Sequence, residues 1–194
     1  MKILSPVLFV LLSLLISPAN AQDYVKAFNA HLRGDYALAE REFRPLAERG
    51  NVLAQYKLGL MYNNGEGVKQ DFGEAVRWFH RAASLGYAPA QRGLGIKFEK
   101  GQGVLRNYGE AVRWYRFGAD QGDAASQYRL GRMYVLGRGL RRDFTEAFAW
   151  FNLAADQKIE DAAIARDSVA LRLSPQQLVE AERKTRRAQL KAKN

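Results

Sequence analysis

The chain has 194 residues, no cysteine and a formal net charge of +10 at pH 7, from 30 Lys and Arg against 20 Asp and Glu. The absence of cysteine excludes disulfide bonds and a lipid anchor on an N-terminal cysteine, and it disfavours a structural zinc site. The basic surplus is spread along the chain. It is compatible with binding to an acidic protein, to anionic lipid or polymer, or with a plain solvated surface.

The N-terminal segment has the layout of a secretory signal peptide. Lys2 supplies the positive charge, residues 7–16 are mostly apolar, and Ala19-Asn20-Ala21 is an A-x-A cleavage pattern. The alternative is an uncleaved membrane anchor, but the apolar run is shorter than the roughly 20 residues that span a bilayer. We therefore predict cleavage after Ala21 and a periplasmic or secreted protein.

An internal repeat of 36 residues organises the next part of the chain. The recurring columns are Leu58/Leu94/Leu130, Gly59/Gly95/Gly131, Gly65/Gly101/Gly137, Asp71/Asn107/Asp143, Ala75/Ala111/Ala147 and Trp78/Trp114/Trp150. Repeats of this length are typical of stacked helical hairpins. The predicted organisation is a signal peptide at 1–21, a half-repeat helix pair at 22–50, repeats at 51–86, 87–122 and 123–158, and C-terminal capping helices with a basic tail at 159–194.

Each repeat predicts two short helices. Ala54, Leu58 and Tyr62 lie four residues apart and form one apolar stripe on the first helix. Gly59, beside Leu58, predicts a close approach of another helix. Glycines at 65 and 67 then predict the helix end and the turn.

The second helix begins with an N-cap pattern. Asp71 is followed three residues later by Glu74, which predicts a capping box in which both side chains bind free backbone amides. The same pattern recurs in the next two repeats. These acids are therefore interpreted as caps and not as catalytic carboxylates.

The flanks depart from the repeat, as the ends of a repeat array should. A first helix is predicted over 24–33. Ser174-Pro175-Gln176-Gln177 predicts the start of a final helix over about 175–192, whose apolar stripe is weak and whose end is basic. That helix is either a solvated cap or a docking tail for an acidic partner or an anionic surface.

Motifs that carry chemistry are missing from the sequence. His31 and His80 stand in different units, and neither belongs to a metal-binding or catalytic pattern. The glycines at 65 and 67 do not form a dinucleotide fingerprint. We predict no catalytic residues, no cofactor and no metal, and we therefore expect that the protein is not an enzyme.

The repeat, with its Leu-Gly, Gly-x-Gly-Val, Asp/Asn-Phe/Tyr and Trp-Phe/Tyr elements, resembles the Sel1-like repeat, a relative of the tetratricopeptide repeat. The resemblance implies an all-α fold, an α/α superhelical solenoid of antiparallel helix pairs with a concave inner surface. It also implies a scaffold or adaptor that binds proteins. The carboxylate clamp of some related repeats does not carry over, since the matching positions are mostly apolar or aromatic. The β-lactam activity of cysteine-rich members does not carry over either, since this chain lacks their cysteines and an S-x-x-K serine.

The variable columns of the first helices give the candidate partner-binding groove. Its residues are Tyr56, Asn64, Arg92, Lys100, Tyr128 and Arg132. We expect a protein or peptide partner, possibly acidic, and no nucleic acid. The alternative is a basic envelope-associated protein in contact with anionic lipid or cell-wall polymer. Some of the six side chains could instead pack between neighbouring helices.

Overall fold

The structure is a computed structural model that describes the backbone of residues 18–193 and the side chains of residues 21–190. Within this part the chain forms ten helices and no strand. They are α1 (Pro18–Leu32), α2 (Tyr36–Glu48), α3 (Val52–Asn64), α4 (Phe72–Ser84), α5 (Ala88–Lys100), α6 (Tyr108–Asp120), α7 (Ala124–Leu136), α8 (Phe144–Asp156), α9 (Glu160–Ala170) and α10 (Pro175–Lys193). The predicted all-α class is confirmed.

The apolar run of the predicted signal peptide lies outside the described residues. Its cleavage motif does not, because Ala19-Asn20-Ala21 lies in the first turns of α1. That helix begins at Pro18, six residues before the predicted start, and it ends as expected at the turn of Gly34. None of the described helices is long and apolar enough to cross a membrane.

The chain divides into two compact units, residues 1–78 and 79–194, with the division inside α4. In the first unit, α2 packs against both α1 and α3. The core of this unit is formed by buried side chains with Phe43, Leu46, Leu58 and Met61 at its centre. Apolar burial on the facing sides of short helices holds this unit together, since a single helix of this length is marginal in water.

In the second unit, each helix from α5 to α9 packs against its neighbour in the chain, and α10 packs against α8. One core cluster is formed by Val112, Tyr115, Leu130 and Met133, with smaller residues around them. A second cluster joins the buried faces of α8, α9 and α10. The unit is therefore built from contacts between successive helices, as repeat proteins are.

Close helix packing requires the glycines beside Leu94 and Leu130. A Cβ on Gly95 would lie 2.4 Å from the Tyr115 ring, and one on Gly131 would lie 2.7 Å from the Phe151 ring. The predicted close approach is thus confirmed in both repeats of the second unit, where the neighbour is an aromatic side chain of the paired helix.

The N-caps follow the sequence in part. Asp71 Oδ1 accepts the N–H of Glu74 at 3.0 Å, and the third repeat has the same bond between Asp143 and Glu146. The reciprocal half of the predicted capping box is wrong. The N–H of Asp71 donates instead to the Tyr62 carbonyl at 2.9 Å, and Glu74 binds Arg77 at 2.8 Å. Because the turn folds the N-cap back onto the first helix, its amide is already satisfied. Among the side chains that the structure describes, a full reciprocal box forms only at Ser174 and Gln177.

Candidate functional site

Two of the predicted groove residues, Tyr56 and Asn64, belong to the first unit. Tyr56 is half-buried. Asn64 is exposed at the end of α3, and its amide donates to Glu66 Oε1 at 2.8 Å. The other oxygen of Glu66 lies 3.0 Å from His31 Nε2. Glu66, in the turn after α3, therefore links Asn64 and His31 in one polar network.

Arg92, on α5 in the second unit, is turned toward the neighbouring repeat. Its guanidinium forms an ion pair with Asp123. The other oxygen of Asp123 accepts the N–H of Ser126 at 2.8 Å and thereby caps α7. Arg92 thus stabilises a helix start, and this contact accounts for it without a ligand.

Lys100 is exposed at the end of α5, and its charge acts on Lys97 one turn earlier. Lys97 is almost completely buried, although the matching column holds Met61 and Met133. Burial, followed by repulsion from Lys100, lowers the pKa of Lys97 to about 8. Its ammonium group also lies 3.2 Å from Gln102 Oε1.

Tyr128 and Arg132 are brought together on α7. The Arg132 guanidinium lies 6.0 Å from the centroid of the Tyr128 ring, and that ring packs against Phe151 with 5.6 Å between centroids. A cation over an aromatic face is held in place by the quadrupole of the ring. Arg132 is nevertheless exposed, so its charge remains accessible.

These two side chains line a cavity of about 240 Å³ between α7, α8 and α9. The remaining lining residues are Val135, Leu136, Phe151, Ala165, Ser168 and Val169. Two apolar side chains on these helices stay in water, Leu136 at 47% exposure and Ile164 at 65%. The site is therefore a largely apolar depression with the Arg132 cation at its edge.

The α9 side of this cavity was not predicted from the sequence. Ala165, Ser168 and Val169 stand where the repeat has already lost its consensus, so no column pointed to them. Their common face could have been found from the spacing of residues 165, 168 and 169, which lie on one side of a helix.

Sequence reasoning also missed a buried glutamine column at 36-residue spacing. The side-chain amides of Gln55, Gln91 and Gln127 donate to the carbonyls of Ala47, Ala83 and Ala119 at 3.0–3.2 Å. A second glutamine then binds each of the last two, Gln121 to Gln91 at 2.7 Å and Gln157 to Gln127 at 3.0 Å. These bonds satisfy buried carbonyls at the turns, so the column stabilises the fold.

No group of three or more His, Cys, Asp or Glu side chains that could hold a metal occurs among the described residues. His80 is exposed and lies edge-on to the Trp114 ring, with 5.8 Å between centroids. Tyr115 has a strongly perturbed proton affinity, since burial and a 2.6 Å hydrogen bond to Glu99 raise its pKa. The Tyr115 hydroxyl donates to Glu99 from inside the core, and this hydrogen bond stabilises the contact between α5 and α6.

Solved structures with the same fold include a Sel1 repeat protein from Oxalobacter formigenes. It is 32% identical, with a TM-score of 0.68 over 71% of this chain and 57% of the other. A protective antigen present in uropathogenic Escherichia coli strains, described as displaying an SLR fold, is 29% identical, with a TM-score of 0.59 over 78% of this chain and 40% of the other. The chain thus spans less than two thirds of the length of either protein.

Cysteine-rich protein B from Helicobacter pylori shares the fold alone, at 20% identity and a TM-score of 0.51 over 64% of this chain and 94% of the other. Among curated proteins, none matches this chain significantly. The family model described as Sel1 repeat matches three consecutive segments, residues 52–87, 88–123 and 124–158, which together make up more than half of the sequence. The chain belongs to the Sel1 repeat family.

Proposed function

We propose that this protein is a non-catalytic scaffold or adaptor that binds a partner protein on the surface formed by α7 and α9. The cavity between these helices carries the proposal. It gathers Tyr128, Arg132 and Leu136 from the variable columns of the repeat, and it leaves apolar surface exposed around a cation. Large apolar groups next to a fixed charge on a repeat protein are typical of peptide-binding surfaces.

The chemistry of the cavity specifies the kind of segment that fits it. An aliphatic or aromatic side chain of the partner would enter the depression lined by Val135, Phe151 and Val169. A carboxylate beside it would bind the Arg132 guanidinium. This proposal uses the α7 residues of the predicted groove, Tyr128 and Arg132, and leaves out Arg92, which is paired with Asp123.

A capture experiment with two variants tests this surface. Ser168→Trp would fill the cavity, and Arg132→Glu would reverse the charge at its edge. Arg113→Glu on α6 is the matched control, because Arg113 is exposed and does not line the cavity. Partners captured from envelope extracts are identified by mass spectrometry, purified and titrated against all four proteins.

We expect both cavity variants to weaken binding of the purified partner at least tenfold, while the control retains the wild-type affinity. Equal affinity in all four proteins would remove α7 and α9 from the interface. If anionic vesicles or cell-wall polymer bind the wild type, and salt abolishes that binding, the basic-surface alternative is supported instead.

We further propose that the protein is exported and cleaved after Ala21. The support is the order of a positive residue, an apolar run and A-x-A in the first 21 residues. Mass spectrometry of the protein from fractionated cells should find a mature chain that begins at Gln22. A chain that retains Met1 in the cytoplasmic fraction would contradict this.

A further inference from the structure

A second cavity in the same unit lies among α7, α8 and the start of α10, and it has a different character. It measures about 690 Å³, and its lining includes Arg141, Arg142 and Arg172 together with Phe144 and Leu173. It shares no lining residue with the α7–α9 cavity. A ligand of this cavity would therefore be independent of the partner proposed for the α7–α9 cavity.

Two of these arginines contact the same aromatic ring. The guanidinium carbons of Arg142 and Arg172 lie 5.6 and 5.3 Å from the centroid of the Phe144 ring. Their separation is therefore no greater than these two distances together. Stacking on a ring orients each planar guanidinium and leaves its N–H groups for a ligand.

Three carboxylates also line the cavity, and the contacts of each are made with groups other than these arginines. Glu146 and Glu180 both bind Lys184, at 2.7 and 3.3 Å, and Asp143 caps α8. Within the described side chains, Arg141, Arg142 and Arg172 form no ion pair. Three like charges around one cavity repel each other, and an anionic ligand would relieve that repulsion.

We infer that this cavity binds an acidic peptide segment with carboxylates on alternate residues. In an extended chain, side chains at i and i+2 lie on one face about 6.6 Å apart. That spacing is compatible with the distance between the two stacked guanidiniums. Each carboxylate can then accept two parallel hydrogen bonds from one arginine. Leu140 and Leu173 line the same cavity and offer apolar contact to the peptide stem.

The probe is a fluorescein-labelled peptide of alternating Glu and Ser, compared with the same peptide carrying Gln for Glu. Its binding is measured by fluorescence anisotropy to the full chain and to the double variant Arg142→Gln/Arg172→Gln. The control double variant is Arg113→Gln/Arg186→Gln. It loses the same charge, and Arg113 also stacks on a ring, at 5.7 Å from the centroid of Phe117.

We expect the Glu peptide to bind the wild type and the control alike, and the Arg142/Arg172 variant at least tenfold more weakly. The Gln peptide should not bind any of them. Thermal unfolding of the two double variants should be similar, because each loses two positive charges and at least one contact between a cation and an aromatic ring.

Equal weakening in both double variants would reduce the effect to net charge and overturn the site. Absence of Glu-peptide binding to the wild type would also overturn it. Vesicles of phosphatidylglycerol provide the last arm. If they bind in an Arg142- and Arg172-dependent manner and the peptide does not, the cavity recognises lipid phosphate and the peptide assignment is wrong.

Discussion

At the scale of the residue, the positions that depart from the repeat consensus show how this chain differs chemically from an ideal repeat. Lys97 stands in a methionine column, yet its side chain is buried like its counterparts Met61 and Met133. Tyr115 stands where the other repeats have Phe79 and Phe151, and its hydroxyl has acquired Glu99 as a partner. Lys158 stands in a turn-glycine column and adopts a left-handed backbone with φ of 65°. Each departure keeps the backbone of the repeat and changes the chemistry inside it.

Lys97 makes stability depend on pH. Its pKa is about 8 in the folded chain and 10.5 ordinarily, so between these values the unfolded chain retains a proton that the folded chain has released. The free energy of unfolding should therefore rise with pH across this window. Lys97→Met should abolish that rise and, at pH 7, stabilise the protein by about 1–3 kcal/mol.

Urea unfolding at a series of pH values from 7 to 10.5 measures this difference. The exposed Lys69→Met is the matched control, and it should follow the wild type. A constant difference in stability between Lys97→Met and the wild type at all pH values would contradict the argument.

At the scale of the element, α6 and α7 are fitted to each other by a pair of changes. Gly118 stands where the neighbouring repeats have Ala82 and Ala154, and Ser126 stands where they have Ala90 and Ala162. A Cβ on Gly118 would lie 2.5 Å from Ser126 Oγ. The smaller residue on one helix thus makes room for the larger one on the other, which a list of columns does not show.

A double-mutant cycle should reveal this compensation. Gly118→Ala alone should destabilise the protein by about 1–3 kcal/mol through overpacking. Ser126→Ala alone should be neutral or stabilising, because the Ser126 hydroxyl is buried without a hydrogen-bond partner in the described part of the chain. The double variant restores the alanine pair and should be as stable as the wild type. Chemical unfolding of the four proteins gives the coupling energy, and strictly additive effects would disprove the fit.

At the scale of the whole molecule, the second unit is stabilised by contacts between successive helices and is closed by α10. Ala181 and Thr185 of that helix are buried, Leu178 packs with them against α8, and Lys184 Nζ lies 2.7 Å from Glu146 Oε1. The hydrogen bond to Glu146, outweighing partial burial, raises the pKa of Lys184. The first half of the final helix therefore acts as a cap that packs on α8.

Loosening this cap should have a local effect. Ala181→Asp places a charge in the α8–α10 contact and should lower stability by about 1–3 kcal/mol. Amide hydrogen exchange should accelerate in α10 and the facing side of α8 and remain unchanged in α5 and α6, because repeat units depend mainly on their neighbours. Val179→Asp, which adds the same charge on the exposed side of α10, is the control. Uniform acceleration across residues 79–190 would contradict a local cap.

The sequence by itself determined the family, the helices and most of the turns. These properties depend on residues that are close in the chain. Asp71 caps α4 by accepting the N–H of Glu74, and Gly95 stands beside Leu94. The recurrence of such residues every 36 positions makes the pattern recognisable. Only the tertiary structure decided which variable side chains remain available. Arg92 and Arg132 are alike in the sequence, but one is bound by Asp123 and the other stays exposed over Tyr128. It also placed Phe144 beneath both Arg142 and Arg172. The Arg92–Asp123 and Arg172–Phe144 contacts join residues that are distant in the chain, and no spacing within one helix encodes them.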